Sequence, residues 1–369
     1  MMGLCACMNK QKKYKVILLC ASLFVLADLV VLAFLLRPAV KPKPASVSTT
    51  AQSITVPIVY DEPETEALPT HDTLTISFVG DCMFASNHGR SAEGSFNHTA
   101  QVQPTTYFLK NFLDLFHADD FTIANCEGVL TDNDLPEKTV TTKIAFWFRG
   151  PTKHAQIFKD SGIELASVVN NHSHDFGQQG SDDTEAALES VGVLPGRRNV
   201  VTYTTVKGQK LGVLCCSLYG YDYMQDIRPK VYEMNSEGCD LKIVYFHGGI
   251  ENETRPEDWK VRACHELIDM GVDVIVGSHP HVLQPMEIYK GKPIVYSLGN
   301  FCFGGNIHPP RNTAVYQAVF TLESGTLAGR EDVLIPCQVY SGKDNNYQPY
   351  IVTDEAKKQE ILDFMHSPV

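Results

Sequence analysis

The chain has 369 residues, 44% of them apolar, and its 43 acidic against 31 basic side chains give a formal net charge of −12. That size suits one large globular domain, or two, with appendages. No basic face stands out, which argues against nucleic acid as a partner.

Residues 16–36 (VILLCASLFVLADLVVLAFLL) are an almost unbroken apolar run, about 31 Å long as a helix and long enough to cross a bilayer. Asp28 within it costs roughly 2.5–3.5 kcal/mol at mid-span, which the surrounding Leu, Ile, Val and Phe outweigh. Asp28 is either a tolerated charge or a contact with a membrane partner. Lys10, Lys12, Lys13 and Lys15 precede the run with no acidic residue among them. The positive-inside rule then predicts residues 1–15 in the cytoplasm and everything after Arg37 outside. No clear small-residue cleavage site follows, so an uncleaved signal anchor is expected. Residues 37–70, rich in Pro, Ser, Thr and Val, read as an extended stalk. The main domain is expected over 71–340, with 341–369 as a C-terminal extension carrying a helix.

Within the domain, the β-type run 74–80 leads directly into Asp81. An amphipathic pattern over 107–116 predicts a helix. Residues 121–125 form another β run ending in Asn125-Cys126-Glu127-Gly128. Pro151 opens a helix that stops at Gly162. The run 163–169 delivers Asn170-Asn171-His172-Ser173-His174-Asp175, and a helix follows to about Ser190. Strands over 210–217 and 241–246 come next, the second delivering His247-Gly248-Gly249-Ile250-Glu251. Pro256 starts a helix ending at Gly271. The strand 274–276 then turns through Gly277-Ser278 into His279-Pro280-His281. Lys290-Gly291-Lys292 reads as a hairpin turn, 314–340 alternates in β fashion, and 355–364 predicts a terminal helix.

Strands alternating with helices imply an α/β fold of βαβ units with a β-rich closing part. In open α/β sheets, ligands gather outside the carboxyl ends of the strands. Asp81, Glu127, Asn171, His247, His279 and His281 each follow a strand directly, so six potential ligands from five strands should converge on a metal centre. Of the eight cysteines beyond the apolar run, Cys82, Cys126, Cys215 and Cys216 sit in strand runs that favour buried thiols. An oxidising exterior permits disulfides, with a connectivity the sequence does not give.

Taken together, Gly80-Asp81-Cys82-Met83, Asn125-Cys126-Glu127-Gly128, Asn170-Asn171-His172-x-x-Asp175-x-Gly177, His247-Gly-Gly-Ile-Glu251, Gly277-Ser-His279-Pro-His281 with Gln284, and Tyr296-Ser-Leu-Gly299-Asn300-Phe301 resemble the CapA family. These are capsule or poly-γ-glutamate synthesis proteins, related in fold to calcineurin-like metallophosphoesterases. The resemblance covers roughly 74–339. It implies a four-layer α/β/β/α metallophosphatase-like sandwich held outside a bacterial membrane by its single N-terminal transmembrane helix. It also implies metal-ligand roles for Asp81, Glu127 (bridging), Asn171, His247, His279 and His281, with His172 beside the leaving group and oriented by Asp175. One or two divalent ions, Mn, Fe or Zn, suit such oxygen and imidazole donors.

Two departures stand out. Phosphoesterases usually place a histidine where this chain has Met83, a poor ligand for a hard cation. Many CapA relatives carry arginine at the position of Ser86 and tryptophan at that of Gly248. Arg90, Arg149 and Arg311 are either substitute anion clamps or solvated surface residues. Glu251 is either a partner for an imidazole or a neighbour of a helix start.

The resulting expectation is a membrane-anchored, extracytoplasmic capsule or poly-γ-glutamate biosynthesis factor, a metal-dependent hydrolase or transferase on an anionic envelope polymer. Membrane synthase subunits are the protein partners such a factor would meet. The alternatives are a phosphoesterase of broader range and a non-catalytic polymer-binding or assembly subunit.

Overall fold

The structure, a computed structural model, describes residues 72–89, 92–140 and 145–369. The expected cytoplasmic segment, membrane anchor and stalk (1–70) lie outside the described residues. Among the described residues, no helix is long and apolar enough to cross a membrane.

The domain has the mixed α/β class expected, built on two large sheets. One runs Tyr350–Ile351, Thr326–Gln338, Asn312–Glu323, Asp72–Met83, Phe121–Cys126, Leu165–Ser167, Leu194–Gly196, and Asn300–Phe303 also pairs with Asp72–Met83. The other runs Leu283–Tyr289, Lys292–Leu298, Val274–Ser278, Leu241–His247, Gln209–Ser217, Val201–Val206. The strands that carry the polar motifs pair in parallel in both sheets, as does the edge strand Leu194–Gly196, while the remaining outer strands pair antiparallel.

Strand side chains alternate between faces, and here they serve two different cores. Ile76, Phe78 and Ile123 meet Val213, Ile243, Tyr245 and Val276 in one cluster shared by both sheets. The intervening Val79, Ala124 and Ala166 pack against Phe112, Phe158 and Leu188 on one outer side. Leu214, Val244 and Ile275 pack against Ile227, Val231 and Leu267 of the helices Met224–Ser236 and Asp258–Asp269 on the other. Burial on both faces explains why these strands read as continuous apolar runs.

The sheets are tied together close to the polar strand ends. Tyr245 donates its hydroxyl to Val79 O at 2.8 Å, and Asp81 N–H donates to Gly299 O at 2.9 Å. A Cβ on Gly80 would stand 1.9 Å from that same oxygen, so this approach requires glycine.

Two elements differ from expectation. Residues 107–116 do not form one helix. A 3-10 turn at Thr105–Tyr107 precedes a short helix, Leu113–Ala118. The apolar residues are still buried: Phe108 packs on Phe84 and Phe96, and Phe112 on Phe301. Turns meet the apolar spacing as well as a helix does. Conversely, Met224–Ser236 is a helix the sequence did not announce, because Pro229 lies inside it. All eight cysteines from Cys82 onward are buried and free.

Candidate metal centre

Register brings the polar strand ends into line. Asp81 pairs with Asn125 on one neighbouring strand and Asn300 on another, and Asn125 pairs with Ser167. In the second sheet His247 pairs with Ser217 and Ser278. Each parallel stack therefore ends in a polar row where its apolar run stops.

The six expected ligands come together there. Asp81 accepts from Asn125 Nδ2 at 2.8 Å and from His279 N–H at 3.3 Å, and its Oδ2 lies 3.3 Å from His281 Nδ1. His247 Nε2 lies 3.1 Å from His279 Nδ1 and 2.9 Å from Asn171 Oδ1. Asn125 Nδ2 and Ser278 Oγ lie 3.2 and 3.0 Å from His247 Nδ1. Glu127 lies between His172 and His281, with Oε1 4.0 and 3.9 Å from their Nε2 atoms. It is 1% exposed, and neither carboxylate oxygen has a hydrogen-bond partner.

His279 and His281 both adopt positive φ, 102° and 60°. Non-glycine residues rarely do so, at about 1–3 kcal/mol each, unless the surroundings hold them there. They are held by Gly248 N–H donating to Ser278 O (3.0 Å) and Asn252 N–H donating to Pro280 O (2.8 Å). His281 Nδ1 also lies 2.9 Å from Asn300 Oδ1.

The electrostatics split the two carboxyl groups. Burial raises Asp81, but His247 and His281 beside it outweigh that and hold the group below the usual carboxylate range. Burial, and then the charge of Asp81, push Glu127 well above that range. Imidazoles and an N–H stand within reach of Asp81, whereas neither oxygen of Glu127 has a hydrogen-bond partner. Burial, reinforced by His247 and His281, lowers His279 to about 2. Burial also acts to lower His281, but Glu127 and Asp81 raise it to about 10. Burial lowers His247 against the pull of Asp81.

These residues fit a divalent cation. Asp81, Glu127 and His281 offer one ligand atom each within 4.8 Å of one another. The orphaned Glu127 oxygens are what a cation would satisfy, since an unpaired buried carboxylate is otherwise strongly disfavoured. On the other side Asn171, His247 and His279 turn an amide oxygen and two imidazole nitrogens toward one another.

Beside this centre opens a cavity of about 550 Å³, lined among others by Glu127, His172, Glu251, His281, Asn300 and Phe148. His172 Nδ1 lies 2.8 Å from Asp175 Oδ2, and its ring meets Phe148 edge-on. Asp175 is fully buried and also accepts from Phe148 N–H at 2.9 Å.

Arg149 and Arg311 are not among the residues that line this cavity. Arg149 donates to Thr131 O and Asn133 O and borders a separate cavity with Asp132. Arg311 donates to Gly342 O and stacks over Tyr340. Arg90 lies outside the described residues. Met83 is fully buried in an apolar cluster with Phe148, Phe303 and Tyr340.

Sequence reasoning missed two residues. Lys138, from an irregular segment, reaches Asp175 Oδ1 at 2.6 Å as an ion pair and donates to Asn171 O at 2.8 Å. Tyr219 meets His279 edge-on with its centroid 5.0 Å away. No local motif marks either one.

The model of the bacterial capsule synthesis protein family PGA_cap matches residues 75–305, a span that holds all six candidate ligands. The chain belongs to the PGA_cap family. Among its relatives, the PGA biosynthesis protein CapA of Bacillus subtilis is 28% identical over 298 residues, spanning 72% of this chain and 75% of that protein. The capsule biosynthesis protein CapA of Bacillus anthracis is 28% identical over 273 residues, spanning 67% and 64%. A solved phosphatase structure from Mycoplasma pneumoniae overlaps 72% of this chain and 94% of its own, at 15% identity and a TM-score of 0.41. That likeness is too slight to carry fold or chemistry across.

Proposed function

We propose that this PGA_cap protein is a membrane-anchored, extracytoplasmic factor of capsule or poly-γ-glutamate biosynthesis. In this reading it acts as a metal-dependent hydrolase or transferase on an anionic envelope polymer, on a metallophosphatase-like four-layer scaffold. The observation that carries the catalytic part is Glu127, a buried carboxylate with neither oxygen partnered, set between His172 and His281. The names of the Bacillus relatives support the pathway, and the apolar run 16–36 supports the anchor.

Asp81, Glu127, Asn171, His247, His279 and His281 would hold one or two ions of Mn, Fe or Zn. Such a cation, when bound, supplies Lewis acidity and an acidified water at neutral pH. The chain's residues do the rest. His172, fixed through Nδ1 by Asp175, turns Nε2 toward Glu127 and the cavity, where it can hand a proton to a leaving oxygen. Phe148 packs on the His172 ring and shields it from bulk water. Ser86, Asn87 and Asn300 on the cavity wall supply neutral hydrogen-bonding groups for a substrate chain.

A non-catalytic polymer-binding role has one observation in its favour, the apolar placement of Met83 where phosphoesterases use a ligand. The two readings separate on purified full-length protein supplied with Mn, Zn or Fe. Hydrolysis of phosphoester or γ-glutamyl substrates that disappears in His172→Ala supports the enzyme. Metal bound without turnover on either substrate class supports the binding subunit. The anchor is tested on intact cells, where external protease is expected to cut within 38–70 and release the domain. Resistance of that segment in intact cells, with cleavage after lysis, contradicts the topology.

A further inference from the structure

Glu251 stands outside the six residues assigned above, yet the fold aims it at the same centre. One of its carboxylate oxygens and a ring nitrogen from each of His279 and His281 lie within 4.8 Å of one another. It is exposed and lines the mouth of the 550 Å³ cavity beside Glu127 and His281.

The segment carrying Glu251 is anchored on both sides. Gly248 N–H donates to Ser278 O at 3.0 Å and Asn252 N–H to Pro280 O at 2.8 Å, zipping it to the His279-Pro280-His281 turn. Gln284 Nε2 donates to Glu253 O at 2.8 Å, and Gln284 Oε1 accepts from the buried Lys260 at 3.0 Å. Lys260 Nζ fills the space under Gly249, 2.2 Å from where a Cβ would stand, and Gly249 has φ +103°. Glycine and a buried ammonium thus fix the path that brings Glu251 over the histidines. The second observation is Glu127, fully buried with both oxygens unpartnered and facing the same cavity. A centre that lacks a donor at Met83 has a spare carboxylate on its solvent side.

We propose that Glu251 is a direct ligand of the divalent cation, supplying from the cavity side the donor that Met83 does not. This rests on the metal-centre reading above. It makes the exposed end of the centre anionic oxygen in place of imidazole. Such an end favours a hard cation and gives a ligand that incoming substrate can displace.

The test uses the full-length chain, with Mn²⁺ binding followed by equilibrium dialysis and Co²⁺ binding by absorbance. Glu251→Gln is expected to weaken Mn²⁺ binding at least about ten-fold, since even outer partners of metal ligands change affinity about 10–100-fold. Glu251→Cys distinguishes direct ligation from indirect support. Loaded with Co²⁺, it is expected to show a thiolate-to-cobalt charge-transfer band that the wild-type chain lacks. Glu251 is solvent-exposed, so neither variant removes a packed side chain, and circular dichroism checks their folding. Unchanged Mn²⁺ affinity in Glu251→Gln with no new band in Glu251→Cys, while Glu127→Gln loses the metal, overturns the role of Glu251 and leaves the centre standing. Absence of Mn²⁺ and Co²⁺ binding in the wild-type chain overturns the metal-centre reading and this inference with it.

Discussion

Lys138 Nζ stands 2.6 Å from Asp175 Oδ1, and the other oxygen of that carboxylate lies 2.8 Å from His172 Nδ1. Lys138 also donates its backbone N–H to Asp175 O at 2.7 Å, and its carbonyl accepts from Trp147 Nε1 at 3.0 Å. An irregular segment is thus latched onto the residue that orients the expected proton donor. Lys138→Met leaves a fully buried carboxylate oxygen without its cation. The expected loss is about 1–3 kcal/mol in chemical unfolding, the cost of leaving a buried polar group without a partner. Turnover is expected to fall about 10–100-fold, as for other residues that orient a site from outside it. A variant with wild-type stability and rate would show the latch to be incidental.

The histidines should separate by role. His281→Ala and His279→Ala are each expected to lower the metal content of the purified protein. His172→Ala should keep the metal and lose turnover by about 10²–10⁴-fold, the usual contribution of a general acid. Elemental analysis alongside a rate assay reads both quantities. Loss of metal in His172→Ala would assign that residue to the wrong group.

How much of this was legible beforehand depended on locality. Asp81, Glu127, Asn171, His247, His279 and His281 each follow an apolar run, and strand polarity alone gathers such residues at one edge. Lys138 was invisible, because it meets Asp175 across 37 positions through an irregular segment. The apolar surroundings of Met83 come from Phe148, Phe303 and Tyr340, all remote in sequence, so its neighbours in the chain gave no sign of them. The helix Met224–Ser236 was hidden by Pro229, and the run 107–116 misled because turns and a helix bury the same apolar spacing. The backbone positions of Arg149 and Arg311 gave no sign of the carbonyl groups that accept from their guanidinium groups.

Glu127 makes the metal-stripped protein pay for a buried carboxyl group. Glu127→Gln keeps the shape and removes the acid, so in chelator-treated samples it is expected to match or exceed wild type in melting temperature. Wild type should be stabilised by added Mn²⁺, by about 2.7 kcal/mol at a hundred times its dissociation constant. The variant should respond far less. Equal stabilisation of the two by Mn²⁺, read by thermal denaturation, would remove Glu127 from the ligand set.

A second acidic pair, far from the ligands, sets a pH dependence. Burial raises Asp119 to about 6, with Asp120 adding to it. Burial also raises Glu164 to about 7, with Asp119 adding to it. Both lie above their ordinary values, 3.8 and 4.5, so the folded chain binds more protons than the unfolded chain between about pH 4 and 7. Their contribution to stability therefore falls as pH rises through that window. Asp119→Asn or Glu164→Gln is expected to stabilise the protein at pH 8 relative to pH 5, read as the difference in melting temperature from wild type at each pH. A larger gain at pH 5 would reverse the sign and contradict the burial argument.

The central claim, a metal centre assembled from these strand ends, is tested most directly by elemental analysis of the full-length protein and its His281→Ala variant after loading with Mn, Fe or Zn and exhaustive dialysis. The expected result is about one equivalent or more of retained metal per wild-type chain and a clear loss in the variant, as ligand removal lowers affinity. Less than about half an equivalent in the wild-type chain for all three metals, or equal retention in the variant, would contradict it.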